Sequence, residues 1–514
     1  MKARLLWLLH AHLPWVRHPE HARFYEEDWF FEALERSYLP LLEVLEGWAR
    51  DEVRATLILS LSPPLVAMLR DPLLQARFRA HLDRRSALWG EERRRVPSAW
   101  SEGELKRVAS VRRLYERIDG DPVSAFAAHA RAGRLELWTT AITHAFLPAF
   151  ASRPGFVRRQ IRLGLDAHRR VFESEPAGLW LPECGWFEGL DPILAAEEVR
   201  HTVLEGEGLR RGTPSPGWGP WRVAESPSGV RLLGRHPRIA RQVWSRELGF
   251  PGDGRYLDFH ADASAHRSPE ELKAFLLADG AKVPLRLCHH RVTDRRSPRK
   301  AAYDPKMAAR AALEHAEVLI CDLERELSAF PRGSGRAPEI VAPFDAELFG
   351  HWWREGPAFL DALARGAQGR VELVGTEGLD DAPRERVRPA PSTWGRGSDA
   401  SVWVSPETAR LWGPILDAVD ALERRPAPGT AARRARAQQH REVLLAASSD
   451  WPFLMRMGTA TEYAESRVFA HLEAAERLDF LSSGLERDPG YVSAREARLG
   501  AFLEALSEGG SPAA

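Results

Sequence analysis

Residues 178–191 read Gly178-Leu179-Trp180-Leu181-Pro182-Glu183-Cys184-Gly185-Trp186-Phe187-Glu188-Gly189-Leu190-Asp191. Leu179–Leu181 is apolar and bulky, as a short buried strand requires. Pro182 cannot donate to a sheet ladder, so the strand is expected to end there. Glu183 then stands at the C-terminal tip of a strand, beside Trp186 and Phe187. A carboxylate in that position suits a catalytic acid, base or nucleophile, with a ligand stacked on the rings. A capping glutamate in a tight loop is the structural alternative, and its weight depends on the rest of the chain.

Upstream, Leu5–Leu9 reads as the first buried strand and runs into His10-Ala11-His12-Leu13-Pro14-Trp15. Side chains alternate along a strand, so His10 and His12 share a face. They bind a metal, as H-x-H pairs do, or hydrogen-bond a polar substrate, or are one buried and one capping residue. The spacing predicts a helix over Phe30–Arg50, a strand over Thr56–Leu61 ended by Ser62-Pro63-Pro64, and charged helices to Asp119. Leu135–Thr140 is a further strand with His144 past its tip, and Phe156–Phe172 is the helix leading into Leu179.

Downstream, Gly and Pro crowd 212–220. A long irregular insertion beside a site suits a lid, tipped here by Trp218-Gly219-Pro220-Trp221. The barrel is expected to resume with a strand at Ala281–Cys288. After a helix over Pro305–Phe330, Glu339–Ala342 reads as a strand ended by Pro343-Phe344-Asp345. Asp345 thus repeats the pattern of Glu183, and His351-Trp352-Trp353 follows it. An N-cap is its structural alternative. Two carboxylates at strand tips of one barrel converge on one face, and cleaving a glycosidic bond requires such a pair. From about residue 400 the pattern is helical: Thr408–Leu422, Ala431–Ala447, Thr461–Leu481 and Ser493–Leu506. Ser448-Ser449-Asp450-Trp451-Pro452 is expected as a loop. Alternating strands and helices argue for a parallel α/β barrel.

Lys+Arg and Asp+Glu are equal at 72 each in 514 residues. There is no basic footprint for nucleic acid or an anionic membrane. Three widely spaced cysteines fit neither a disulfide framework nor a zinc ribbon and point to a reducing compartment. The apolar run at Leu5–Leu9 is too short for a signal-peptide core, and no run is long enough to span a bilayer. A cytoplasmic protein is the expectation. Many of the 18 tryptophans sit beside Gly, Pro, His or Asp, where rings often stack on carbohydrate.

Five stretches together resemble glycoside hydrolase family 57, and within it the 1,4-α-glucan branching enzymes. They are residues 10–15, Leu137–His144, Leu179–Cys184, Phe344–Trp353 and Ser449–Phe453, and they occur in the family's order. The resemblance covers nearly the whole chain. It implies a (β/α)7 barrel with a small insertion domain and a C-terminal α-helical domain: barrel over 1–195 and 256–395, insertion over 196–255, helical domain over 396–514. It implies retaining chemistry with no cofactor and no metal. Glu183 would be the nucleophile and Asp345 the acid/base. His10, His12, His144, Arg235, Gly252, Trp394 and Asp450 match positions around the glucan, and Trp403 would add a stacking face. The substrate would be an α-1,4-glucan, the protein a monomer or weak homo-oligomer. Branching members carry a Tyr near the tip of the loop after the nucleophile. Here Pro216–Trp221 has none, and Trp218 is the expected shield of the intermediate.

Alternatives on the same fold are an α-glucan hydrolase and a 4-α-glucanotransferase. Outside that class stand a zinc hydrolase using His10, His12 and Asp345, and a glucan-binding protein without turnover.

Overall fold

Strand β1 (Ala3–Ala11) is the hub of the sheet. The other strands are β2 (Leu57–Leu61), β3 (Leu135–Thr140), β4 (Leu179–Trp180), β5 (His201–Leu204), β6 (Ala224–Glu225), β7 (Arg231–Gly234), β8 (Glu339–Asp345) and β9 (Val371–Leu373). The computed structural model describes residues 2–245, 247–277, 279–293, 300–330, 337–379, 384–424, 426–484 and 487–506.

The strand order is β6-β7-β5-β4-β3-β2-β1-β8, parallel throughout except β6–β7. Past β7, Arg235 bridges Val341 in parallel, and His236 N–H donates to the Val341 carbonyl at 2.9 Å. That contact closes seven parallel strands, β1, β2, β3, β4, β5, β7 and β8, into a ring. The fold is therefore the α/β barrel with a helical C-terminal region that the alternating pattern predicts. β9 pairs with Ala3–Leu5, and its Leu373 carbonyl accepts from Thr56 N–H (3.1 Å). It fills the gap between β1 and β2 at the N-terminal end of the ring.

Strands covered on both faces read as continuous apolar runs, and alternation divides Leu5–Leu9 between two cores. Leu6 and Leu8 join Ile58, Trp138, Trp180, Val203, Leu233 and Val341 in one buried cluster, the inside of the barrel. Leu5, Trp7 and Leu9 belong to the larger cluster shared with the surrounding helices. Gly178 is required where the Trp138 indole crosses the start of β4, since a Cβ there would lie 2.4 Å from the ring.

Four expectations change. β8 runs through Pro343 to Asp345. The Val341 carbonyl faces β7, so by alternation Pro343 faces the same side beyond the end of β7, where no ladder donor is needed. β5 and β7 lie inside 196–255, the stretch expected as an insertion, and so does a helix, Pro237–Trp244. These strands are only four residues long, too short for a periodic signal. Ala281–Cys288 is no strand; it is irregular chain, with Arg286 in the left-handed region (φ 55°), whose Cys288 makes an isolated bridge to Asp262. Asp450–Met457 is helix, where 448–452 was expected as loop. The remaining C-terminal helices are Ala409–Ala421, Thr430–Ala446, Thr461–Ser482, Pro489–Leu499 and Phe502–Ala505. This region docks on the segment after β3: Ser449 N–H donates to the His144 carbonyl (2.9 Å), and Thr143 Oγ1 donates to the Leu444 carbonyl (2.6 Å).

Candidate active site

The parity that turns Leu6, Leu8 and Val341 into the barrel also turns His10 and Asp345 inward at its C-terminal end. The register pairs His10 directly with Asp345. Ser60 on β2 follows the same parity as Ile58. His10 lies flat on Trp180, ring centroids 4.6 Å apart and planes 2° apart, so the inner core is the floor of the site.

Glu183 follows β4 in the left-handed region (φ 60°, ψ 21°), and Cys184 follows with φ 51°. A non-glycine residue pays backbone strain there, and such strain gathers at working sites. The turn is locked from outside by the segment around Trp394. Trp186 and Ser392 exchange backbone hydrogen bonds (2.8 and 3.1 Å), and Trp394 N–H donates to the Glu183 carbonyl (3.0 Å). The Trp394 indole Nε1–H then donates to Glu183 Oε2 at 2.8 Å. Ser449 Oγ–H donates to Oε1, also at 2.8 Å. Burial pushes the Glu183 carboxyl up to about 7, against the pull of these two donors. Burial also holds the Asp345 carboxyl well above the usual carboxylate range, helped by the charges of Glu347 and Glu183 and opposed by Arg235. A buried acid that keeps its proton near neutrality is what a general acid requires.

The three histidines converge: His10 Nε2 lies 2.9 Å from His144 Nε2, and the His12 and His144 rings stack at 3.8 Å. Their ring nitrogens lie within 4.8 Å of one another, near enough to hold a metal ion. Every ring nitrogen also has a hydrogen-bond partner in the protein. His10 Nδ1 meets Ser60 (3.1 Å) and His144 Nδ1 meets Ser449 (2.8 Å); His12 meets Ser62 through Nδ1 (2.9 Å) and Asp450 through Nε2 (3.0 Å). An ion would have to break these bonds. Burial, then the neighbouring rings, hold His10 and His144 well below the usual imidazole range, so both are neutral.

Arg235 reaches Glu205 (3.2 Å) and lies over the Trp394 ring, 5.7 Å from its centroid. Glu183, Asp345, His10, His12, His144, Arg235, Trp394 and Asp450 are thus gathered at one end of the barrel. Three expected residues are placed elsewhere. Trp403 is 1% exposed and stacks on Phe146, so it offers no face to a ligand. Gly252 ends a short turn whose Phe250 packs on His315 and Phe359. Trp218 rests on Phe330, with Arg222 over its ring at 4.3 Å. Its loop is tied through Val223 N–H (3.2 Å) to Glu339, the first residue of β8, whereas Asp345 is the last. Beside Trp394, with ring centroids 6.3 Å apart, is the exposed Trp244 (39%), which meets the exposed Trp352 (42%) edge to face at 6.0 Å.

Sequence reasoning passed over Ser60, Ser449 and Glu347. Glu347 is buried, accepts from the Tyr38 hydroxyl and from His12 N–H (3.2 Å), and is pushed up to about 7 by burial. Strand parity could have found Ser60. Nothing local marks Ser449, because its partners lie 266 and 305 residues away in sequence.

The family model "Glycosyl hydrolase family 57" matches residues 6–278, and the model "1,4-alpha-glucan branching enzyme, C-terminal" matches residues 415–505. A probable 1,4-alpha-glucan branching enzyme of Mycobacterium tuberculosis is 29% identical, over 96% of this chain and 97% of its own. A 1,4-alpha-glucan branching enzyme of Thermococcus kodakarensis is 28% identical, over 93% of this chain and 73% of its own. Among solved structures, the alpha-amylase AmyC of Thermotoga maritima superposes with a TM-score of 0.88 at 31% identity, covering 99% of this chain and 100% of that one. A GH57-type branching enzyme of Pyrococcus horikoshii superposes with a TM-score of 0.85 at 26% identity, covering 100% and 98%.

Proposed function

The chain belongs to glycoside hydrolase family 57, and on that footing we propose that it is a 1,4-α-glucan branching enzyme. It cuts an α-1,4 bond of a glucan and rejoins the freed segment through an α-1,6 bond. The observation that carries this reading is a Glu183 carboxylate gripped on both oxygens, facing a buried, proton-holding Asp345 across the mouth of one barrel. The names of relatives that match nearly end to end support it, as does the branching-type match in the helical region.

The mechanism follows from the two carboxyls. Asp345 protonates the leaving oxygen while Glu183 attacks the anomeric carbon, giving a covalent glucosyl-enzyme. Asp345, now ionised, takes the proton of an incoming 6-hydroxyl, which displaces Glu183 with net retention. Trp394 and Ser449 hold the nucleophile's plane, so little orientation is lost on reaching the transition state. Arg235 opposes the rise of the Asp345 carboxyl and eases its ionisation after proton transfer. Gly252 and Trp403 act at most as supports of the loops that carry the site.

The same reading places the enzyme in cytoplasmic glycogen-type metabolism, as a monomer or weak homo-oligomer without nucleic-acid partners. Among the described residues no helix is long and apolar enough to cross a membrane. The division into 1–195, 196–255, 256–395 and 396–514 belongs to this reading too, with β5 and β7 counted to the barrel.

A second reading, α-glucan hydrolysis, is favoured by the 31% identity to an alpha-amylase and by the absence of a Tyr in Pro216–Trp221. Purified enzyme on amylose decides between them, with reducing ends and α-1,6 signals followed together by assay and proton NMR. New α-1,6 linkages with few reducing ends establish branching. Reducing ends alone make it a hydrolase.

A further inference from the structure

Four hydrogen bonds in series join the tip of β2 to the candidate nucleophile. Ser60 Oγ lies 3.1 Å from His10 Nδ1, and His10 Nε2 lies 2.9 Å from His144 Nε2. His144 Nδ1 lies 2.8 Å from Ser449 Oγ, which lies 2.8 Å from Glu183 Oε1. Ser60, His10, His144 and Ser449 are each no more than 2% exposed, so water does not replace a missing partner.

Counting hydrogens fixes the direction of the series. A carboxylate only accepts, so with Glu183 ionised Ser449 gives its single O–H to Oε1. Ser449 then has only lone pairs for His144, whose Nδ1 must carry the hydrogen. A neutral imidazole has one N–H, so His144 Nε2 accepts from His10 Nε2–H. His10 Nδ1 accepts in turn from Ser60. With the Glu183 proton on Oε1 every bond reverses, and Ser60 turns to the Thr139 carbonyl at 3.4 Å.

We propose that Ser449 is a positioning residue for Glu183: it holds Oε1 of the ionised nucleophile and, through the same hydroxyl, dictates which nitrogens of His144 and His10 carry hydrogen. This deepens the reading of Glu183 as the nucleophile and rests on it. The helical C-terminal region thereby supplies half of the nucleophile's grip, from a residue one place before Asp450, which holds His12. The Ser449 donation to Oε1 favours the ionised carboxylate. The titratable or charged groups that face it are Asp450 on the same turn, His12 just past β1, His144 (Nδ1 3.9 Å from Oε1), the adjacent Cys184 and Asp345 on β8, with Arg235 after β7 facing Asp345 and Cys184.

The test is the full chain carrying Ser449→Ala or Ser449→Thr, assayed on amylose for kcat, KM and the pH profile of kcat/KM, with Tm alongside. For Ser449→Ala the expected result is a kcat lower by about 10- to 100-fold, the loss of a hydrogen bond to a charged group. KM stays within about threefold, and the acidic limb of the profile moves up by about one unit. Ser449→Thr, which keeps the hydroxyl, restores the limb. Ser449→Ala with parent-like kcat overturns the proposal, and so does a lower Tm with an unmoved limb, which would make Ser449 a docking contact alone. If Ser449→Ala does not fold, Ser449→Gly, which also removes the hydroxyl and suits the helix N-cap that Ser449 occupies, is expected to move the limb upward; an unmoved limb there also overturns it. Glu183→Gln separates the two claims. Retained turnover in that variant sinks the nucleophile assignment, whereas a dead Glu183→Gln beside a parent-like Ser449→Ala sinks only the role of Ser449.

Discussion

Two segments of this chain look alike on paper: Pro214-Ser215-Pro216-Gly217-Trp218-Gly219-Pro220-Trp221 and Pro389-Ala390-Pro391-Ser392-Thr393-Trp394-Gly395. Both are Gly/Pro-rich, both carry Trp, and both flank barrel elements. The first packs Trp218 on Phe330 near the start of β8. The second is stitched antiparallel to the turn after β4 and delivers an indole N–H to Glu183. Composition selects segments able to hold a ring in an irregular loop. Only backbone pairing decides which ring meets the chemistry.

The largest test of that contrast starts at the carboxylates, one of which, Glu183, holds the second segment through Trp394. Glu183→Gln and Asp345→Asn are each expected to lower kcat by ~10³-fold or more while the far-UV circular dichroism stays that of the parent. Turnover retained in either would place the chemistry elsewhere. Next comes Trp394→Phe, which keeps a ring but loses the donor. A fall in kcat of about 10- to 100-fold is expected, against a change within about twofold for Trp218→Phe. Equal effects would erase the distinction between the loops.

The pH profile sharpens it further. The active form needs Glu183 ionised and Asp345 protonated. With the Glu183 carboxyl pushed up to about 7, kcat/KM should fall as pH drops through that region; the limb is a property of the coupled pair. Trp394→Phe removes a donor from the ionised form and moves the limb upward, whereas Trp218→Phe leaves it in place.

The smallest effect is on stability. A carboxyl raised on folding contributes stability below its unfolded pKa, lost as pH rises through the folded value. At pH 8 the native protein therefore carries a penalty at Glu183, of order 1–3 kcal/mol after its hydrogen bonds are counted. Glu183→Gln should melt above the parent at pH 8, with the gap closing by pH 5. A constant gap would mean the carboxyl is not perturbed.

Much of the site was legible because two signals are local. An apolar run stopped near a proline places Glu183 and Asp345 at strand tips, and alternation puts His10 and His12 on one face. The strands β5 and β7 were not legible, since four residues inside a Gly/Pro-rich stretch carry no period. Trp403 differs from its expected place for another reason: the resemblance offers its ring as a stacking face, yet between Val402 and Val404 the ring turns inward and packs against Phe146.

The sequence by itself determined the barrel class and the carboxylate pair, because the strand period and the proline stops are written into neighbouring residues. The tertiary structure alone decided which tryptophan and which serine grip Glu183. Those partners lie 211 and 266 residues away. They meet only when the ring of strands closes and the helical region docks on its C-terminal end, so no stretch of sequence holds both halves of the contact.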